Sequence, residues 1–279
     1  MNVTVLFTTY NSPKWLEKVL WGFSVQTHRD FDIIIADDGS TDETRQLIDR
    51  MRSETGIRIK HVWHEDHGFQ KCEILNKAIL QVESDYIIFT DGDCIPRADF
   101  VEEHLKCAKP GCFLTGSVAR LPMSTSEHIG KEDITSGACF NWDWLVENGL
   151  LVTRKNMKLR ARKYAGNILN HLTPARTNFT GCNASAWTKD VIAVNGFDQR
   201  MSHGGLDREF GVRLKNLGIK GKHVRYNAQI IHLDHARGYS DPENIRKNKA
   251  LRIHNAKRKI KITEYGLNLV KDQAVRITG

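Results

Sequence analysis

The chain has 279 residues, 40% of them hydrophobic and 27% charged, enough apolar material for one large core or two small ones and far from the composition of a disordered chain. No apolar run approaches the roughly 20 residues that span a bilayer, and the N-terminal MNVTVLFTTYN lacks the basic segment and cleavage site of a secretory signal, so residence in the cytosol is expected. The net charge of +8 is uneven: residues 1–140 carry 15 basic and 22 acidic side chains and residues 141–279 carry 26 and 11, which suits metal binding in the first half and an anionic partner in the second.

Val3 to Phe7 is an apolar run, followed by Ser12-Pro13 as an N-cap with proline at the first helical position and by Trp15, Leu16, Val19, Leu20 and Phe23 at helical spacing. Phe31 to Ala36 reads as a buried strand, Ser40 and Glu43 as a capping box, and Leu47, Ile48 and Met51 as the helix behind it. A third strand is expected over Ile57 to Trp63, a helix from Gly68, and a fourth strand over Tyr86 to Phe89. Strands alternating with helices imply an α/β fold with a mostly parallel central sheet, in which ligands sit at the carboxyl ends of the strands. Those ends carry Thr8-Thr9-Tyr10-Asn11, Asp37-Asp38-Gly39-Ser40 and Asp91-Gly92-Asp93. After about residue 120 the alternation weakens, and Asn148 to Lys189, without one acidic residue, is expected to be irregular or helical. Arg246 to Lys261 holds eight Lys or Arg and no Asp or Glu, the pattern of a basic surface helix. Residues 1–120, 121–240 and 241–279 are thus read as an α/β half, a less regular half of the same domain and a basic tail.

Asp91 and Asp93, separated by a small residue at a strand end, can face one divalent cation, directly or through water or a ribose hydroxyl; two solvated turn aspartates would read the same. Asp38 can accept from a base imide or a ribose hydroxyl, while Asp37 to Ser40 also suits a plain turn and cap. Thr8, Tyr10 and Asn11 offer hydroxyl and amide contacts and a ring to stack on a base. The six cysteines form no CxxC pair or repeated spacing, so they read as reduced thiols rather than a zinc site or disulfide framework.

FTTYN (7–11), IIIADDGSTD (33–42) and IIFTDGD (87–93), in this order, resemble the nucleotide-sugar half of the family 2 glycosyltransferases with the GT-A fold. That resemblance implies that Asp38 contacts the base, that Asp93 holds Mn²⁺ or Mg²⁺ on the donor diphosphate, and that Asp91 lies toward the ribose or the metal. The segment 64–78 is similar to the family's glycine-led helix, which brings Lys71 and Asn76 to the nucleotide; Lys71 suits a solvated helix position equally. NFTGCNASAW (178–187), NGFD (195–198) and HGGLDREFGVRL (203–214) resemble the acceptor side of galactosyltransferase-like and chondroitin-polymerase-like enzymes, with Leu206 where a first acidic residue is usual. The resemblance implies Asp207 as general base, with Glu209 as its alternate, and an acceptor region including Trp187, Gly204, Gly205 and Glu209. It also implies a histidine ligand to the metal, His232 or His235, with Arg237 reaching the diphosphate.

The expected function is inverting transfer of a hexose or N-acetylhexosamine from a UDP-sugar to a glycan or lipid-linked glycan, in bacterial surface polysaccharide or lipopolysaccharide biosynthesis. Peripheral association with an anionic membrane fits the basic half, with Trp142 and Trp144 either interfacial anchors or part of the cleft or core. No nucleic acid partner is expected, and the alternative function is a non-catalytic GT-A-like protein binding an anionic partner. A phosphohydrolase would carry its Asp-x-Asp on the first strand, and neither a glycine-rich phosphate loop nor GxGxxG is present.

Overall fold

The structure is a computed structural model that describes residues 1–153, 156–160, 163–172, 175–236 and 241–279. Its strands are β1 (Val3–Thr9), β2 (Asp32–Asp37), β3 (Ile59–Trp63), β4 (Tyr86–Asp91), β5 (Cys94–Pro96), β6 (Cys112–Thr115), β7 (Ser117–Arg120), β8 (Ala184–Trp187), β9 (Lys220–His223), β10 (Gln229–His232) and β11 (Arg276–Thr278). Among the described residues, eight of them form one sheet in the order β11-β3-β2-β1-β4-β8-β6-β9, and β5-β10-β7 form a second. The β3-β2-β1-β4 core is parallel.

β1, β2 and β4 are apolar on both faces because helices cover both, whereas β3 carries Lys60 and His61. Val3, Val5 and Phe7 of β1, with Ile33 and Ile35 of β2, pack on one side against Leu16, Val19, Leu20 and Phe23 of the Pro13–Ser24 helix. Leu6, Ile34, Ala36, Ile87 and Phe89 pack on the other against the Lys71–Ile79 helix and Phe210 of the Leu206–Asn216 helix. Alternate residues of one strand therefore enter two cores, which is why each strand reads as a continuous apolar run rather than an alternating one.

Two features depart from the sequence reading. Ala184–Trp187, inside the acid-free stretch, is a strand, inserted antiparallel between β4 and β6; at four residues with two alanines it gives no apolar run to detect. The helix after β2 starts from Thr41 with no side-chain cap. Ser40 is unavailable for a capping box because its hydroxyl accepts from Asn11 N at 2.9 Å, and its own N–H is taken by Asp37 Oδ1 at 2.8 Å.

The parallel register sets the site. Thr9 pairs with Asp37 and Thr8 with Asp91, so three strand ends meet at one edge. Gly92 continues β4 there: its N–H donates to Thr8 O at 3.0 Å, and a Cβ would stand 2.8 Å from the same oxygen. Any side chain at 92 would push apart the ends that carry Asp91 and Thr8.

Candidate active site

A cleft of about 1160 Å³ opens at this edge, lined among others by Thr8, Tyr10, Asp38, Lys71, Asp91, Asp93, Gly204, Gly205, Asp207, His232 and His235. The small sheet brings the histidines to the strand end. In β10-β5 pairing His232 lies opposite Cys94, and Leu233 N donates to Asp93 O at 2.9 Å. His232 Nε2 is then 3.4 Å and His235 Nε2 3.1 Å from the same Asp93 Oδ2.

This trio has the chemistry of a cation site. His235 Nδ1 lies 3.0 Å from Ala236 O, so the ring faces an acceptor at both nitrogens, a carbonyl on one side and a carboxylate on the other. Neutral imidazole carries one N–H only. A cation at Nε2, metal or proton, resolves the conflict. The Asp93, Cys94 and His232 ligand atoms lie within 4.8 Å of one another, and carboxylate with imidazole suits Mn²⁺ or a similar divalent ion. Burial pushes the Asp93 carboxyl up, but the His235 hydrogen bond and the charge of both imidazoles more than offset it, so it sits below the usual range. Burial lowers His232, with Asp93 opposing.

Lys71 donates to Asp91 Oδ1 at 2.8 Å. Burial alone would lower its pKa, yet Asp91, Asp93 and Asp207 together raise it, so the ammonium stays charged among three carboxylates. Asp38 accepts from His64 Nε2 at 2.9 Å and from Gln70 N at 3.1 Å. Lys77 Nζ lies 3.1 Å from His64 Nδ1; an ammonium can only donate, so His64 is the tautomer whose Nε2–H faces Asp38. Burial raises the Asp38 carboxyl. Tyr10 donates to Asp66 Oδ2 at 2.8 Å, which fixes a ring 49% exposed.

Asp207 occupies the first turn of the Leu206–Asn216 helix, entered through Gly204 and Gly205 at φ 101° and 93°. Its Oδ2 accepts from Gly181 N at 3.1 Å and its Oδ1 from Arg208 N at 2.8 Å. The carboxylate is held by two N–H groups and faces the cleft.

Four of the sequence-assigned residues point elsewhere. Asn11, at φ 43°, accepts through Oδ1 from Thr41 N at 2.9 Å and braces the two loops rather than lining the cleft. Glu209 is fully buried, accepting from Arg213 Nε and Asn255 Nδ2, each at 2.8 Å; helical spacing turns it to the core when Asp207 faces the cleft. Trp187 pairs with Tyr86 at the start of β4, the opposite end of the sheet, and donates to Lys109 O at 3.0 Å. Asn76 is buried and holds Phe197 through its N–H and carbonyl. Trp142 and Trp144 pack on the core. Arg237 lies outside the described residues.

Sequence reasoning missed Gly181, although it lies in the quoted NFTGCN segment, and it missed Trp15, Arg120, Lys249 and Arg252 on the cleft wall. Lys249 and Arg252, three apart on the Pro242–Arg258 helix, share a face toward the cleft; their basic run signalled a surface helix without saying which side faces the site.

Residues 4–144 match Glycosyl transferase family 2. The chain belongs to that family. Among curated relatives it is 26% identical over 225 residues to a chondroitin synthase of Escherichia coli, covering 77% of this chain and 32% of that protein. It is 24% identical to the chondroitin synthase of Pasteurella multocida, covering 77% and 23%, so it spans a third or less of these relatives' length. An uncharacterized glycosyltransferase of Bacillus subtilis, YfnE, is 22% identical, with 90% and 69% covered. Two solved structures share the fold. TarS 1–349 of Staphylococcus aureus in complex with UDP-GlcNAc has TM-score 0.60 at 16% identity, covering 93% of this chain and 69% of that one. A mannosyltransferase of Pyrobaculum calidifontis in complex with GDP-Man and Mn²⁺ has TM-score 0.61 at 17% identity, covering 92% and 64%. The family 2 chain has the GT-A fold expected of it.

Proposed function

We propose that this family 2 chain transfers a hexose or N-acetylhexosamine from a UDP-sugar to a glycan hydroxyl with inversion at the anomeric carbon, in the building of a bacterial surface polysaccharide or lipopolysaccharide. The observation that carries the reading is the convergence of Asp93, His232 and His235 at the strand edge, with Asp207 held in the same cleft. The names of the relatives support a polysaccharide product, and UDP-GlcNAc in a neighbour of the same fold supports the donor class.

Thr8, Tyr10 and Asp38 bind base and ribose, Tyr10 by its exposed ring and Asp38 through the acceptor capacity left by His64 and Gln70. Asp93 with His232 or His235 holds Mn²⁺ or Mg²⁺, and Lys71 keeps Asp91 oriented toward the ribose or the metal. When bound, the divalent cation offsets charge developing on the departing diphosphate. Asp207 accepts the proton of the attacking hydroxyl as the acceptor oxygen bonds to the anomeric carbon and the bond to the diphosphate breaks. Gly181 N and Arg208 N hold its carboxylate in place. Gly205, where a Cβ would meet nothing, leaves room for a sugar ring beside it, while Gly204 packs on Ile245; the acceptor is a glycan or lipid-linked glycan. A non-catalytic anion binder would need the basic second half but no such cation cluster, so the catalytic reading is preferred.

The test is nucleotide release from UDP-, GDP- and CMP-sugars with Mn²⁺ or EDTA, with thermal shifts recorded alongside. One UDP-sugar is expected to be turned over and to stabilise the protein only with metal, and Asp93→Ala to lose both by about 10³-fold or more. Equal turnover in EDTA, or by Asp93→Ala, would sink the metal assignment, and no response to any nucleotide-sugar would sink the donor reading.

A further inference from the structure

Charge is settled differently on the two sides of the cleft. Near the strand ends each lining cation meets a partner, Lys71 donating to Asp91 Oδ1 at 2.8 Å and Arg120 lying 3.4 Å from His232 Nε2. Arg208, Lys249 and Arg252, from the Leu206–Asn216 and Pro242–Arg258 helices, line the same cleft, and among the described residues none of their side chains forms an ion pair. The sequence gives the reason. Three and four residues from Lys249 stand Arg246, Ile245, Arg252 and Ile253, and the same spacings from Arg252 reach Lys249, Asn248, Asn255 and Ala256. The one acid of that helix, Glu243, pairs with Arg246 and Lys247 instead. Lys249 and Arg252, like charges three apart, therefore repel each other with no carboxylate between them.

Their place is fixed by Asn248. This buried amide donates to Ser202 O, His203 O and Gly204 O at 3.0, 3.1 and 3.0 Å, and a Cβ on Gly204 would stand 2.9 Å from Ile245 Cγ1. The helix is thus seated on the turn that leads into Asp207, with Lys249 beside Asn248 and Arg252 one turn on. A cleft that holds cations without counter-ions favours an anion there. The turn they flank carries Asp207, not the Asp93–His232–His235 cluster, so that anion belongs beside the attacking hydroxyl rather than on the donor diphosphate.

We infer that the acceptor is an acidic glycan, whose carboxylate or phosphate is held by Lys249 and Arg252, with Arg208 alongside, while a nearby hydroxyl of the same acceptor meets Asp207. This deepens the transfer reading and rests on it, through the placing of Asp207 on the acceptor side.

Titration calorimetry of the 279-residue chain with UDP and Mn²⁺ present tests it, using a glucuronate-containing tetrasaccharide, its carboxyl-reduced neutral counterpart and a short poly(glycerol phosphate). Wild type is expected to bind one acidic probe about tenfold more tightly than the neutral one, with the advantage shrinking as salt rises; which acidic probe is preferred separates carboxylate from phosphate. Lys249→Ser/Arg252→Ser is expected to bind all the probes alike, with UDP affinity unchanged and a melting temperature no lower than that of wild type, since it removes a repulsion. Arg246→Ser/Lys247→Ser, which takes the same charge from positions that do not line the cleft, is expected to keep the preference. Equal binding of acidic and neutral probes by wild type, or a preference that survives in Lys249→Ser/Arg252→Ser, would overturn the inference and leave the transfer reading standing. So would a UDP affinity that falls in step in that variant, which would give the two cations to the donor. A wild type that binds no nucleotide or nucleotide-sugar would sink the transfer reading itself, and with it the claim that the anion is an acceptor's.

Discussion

The two walls of the cleft are built by different means. On the wall proposed to bind the donor, Thr8, Asp38 and Asp91 sit at or next to the ends of adjacent parallel strands, placed by a backbone ladder whose register brings Thr9 to Asp37 and Thr8 to Asp91. On the other side, Gly181, Gly204, Asp207 and Arg252 come from two loops and two helices, tied by single contacts such as Gly181 N to Asp207. A ladder distributes a positional demand over many hydrogen bonds, whereas one such contact concentrates it. The strand-built wall should therefore tolerate change around its side chains, and the wall of loops and helices should fail locally and specifically.

Asp207→Asn sharpens the contrast most. Turnover is expected to fall about 10²- to 10⁴-fold while donor affinity, read by titration calorimetry with the nucleotide-sugar and Mn²⁺, stays as in wild type. Transfer near the wild-type rate would remove Asp207 from the base role. Glu209→Gln, two residues on, should act through stability instead. It leaves Arg213 without its ionised partner in a fully buried pair, and a loss of about 3–5 kcal/mol in urea melts is expected, with donor affinity unchanged below the melting range. A normal melt with impaired donor binding would place Glu209 in the site after all.

The smallest effect probes the seam between the regions. His104, from the first half, contacts Ser185 and Asn183 of the second, at 2.8 and 3.1 Å. Burial pulls its imidazole down to about 4 against a smaller opposing effect of Asn183, while in the unfolded chain it titrates near 6.5. Between these values the unfolded chain binds a proton that the folded chain refuses. Stability from this group is complete above about pH 6.5 and lost as pH falls toward 4, on the order of 3 kcal/mol in all. Urea melts across that window should show a shallower slope for His104→Gln, and an identical slope would mean that another group carries the acid sensitivity.

This difference in construction also explains what could be read from the sequence. β1, β2 and β4 announce themselves as apolar runs because each is buried on both faces, and a polar residue at the end of such a run stands at the sheet edge; Asp38, Asp91 and Asp93 were found that way. Asp207 was reached only through resemblance to known enzymes. Glu209 and Trp187 came with the same pattern and proved to face the core and the far end of the sheet, since a motif gives order along the chain but not which way a side chain turns. The Asp93–His232–His235 convergence depends on the pairing of β5 with β10, more than 130 residues apart, which no local pattern encodes. Lys249 and Arg252 were hidden because a helix with basic residues on several of its sides gives no sign of which of them meet a ligand.

The last strand has a consequence for how the molecule comes apart. β11 lies antiparallel on β3, and Arg52 NH2 donates to Thr278 O at 2.7 Å. At the opposite margin β8, β6 and β9 continue the sheet beyond β4. The four parallel strands are thus enclosed on both margins by chain that follows them, and residues 1–120 taken alone would present two raw strand edges to any other chain that could pair with them. Heating should therefore melt both walls of the cleft in one cooperative transition, and neither can be loosened for separate study without opening the other.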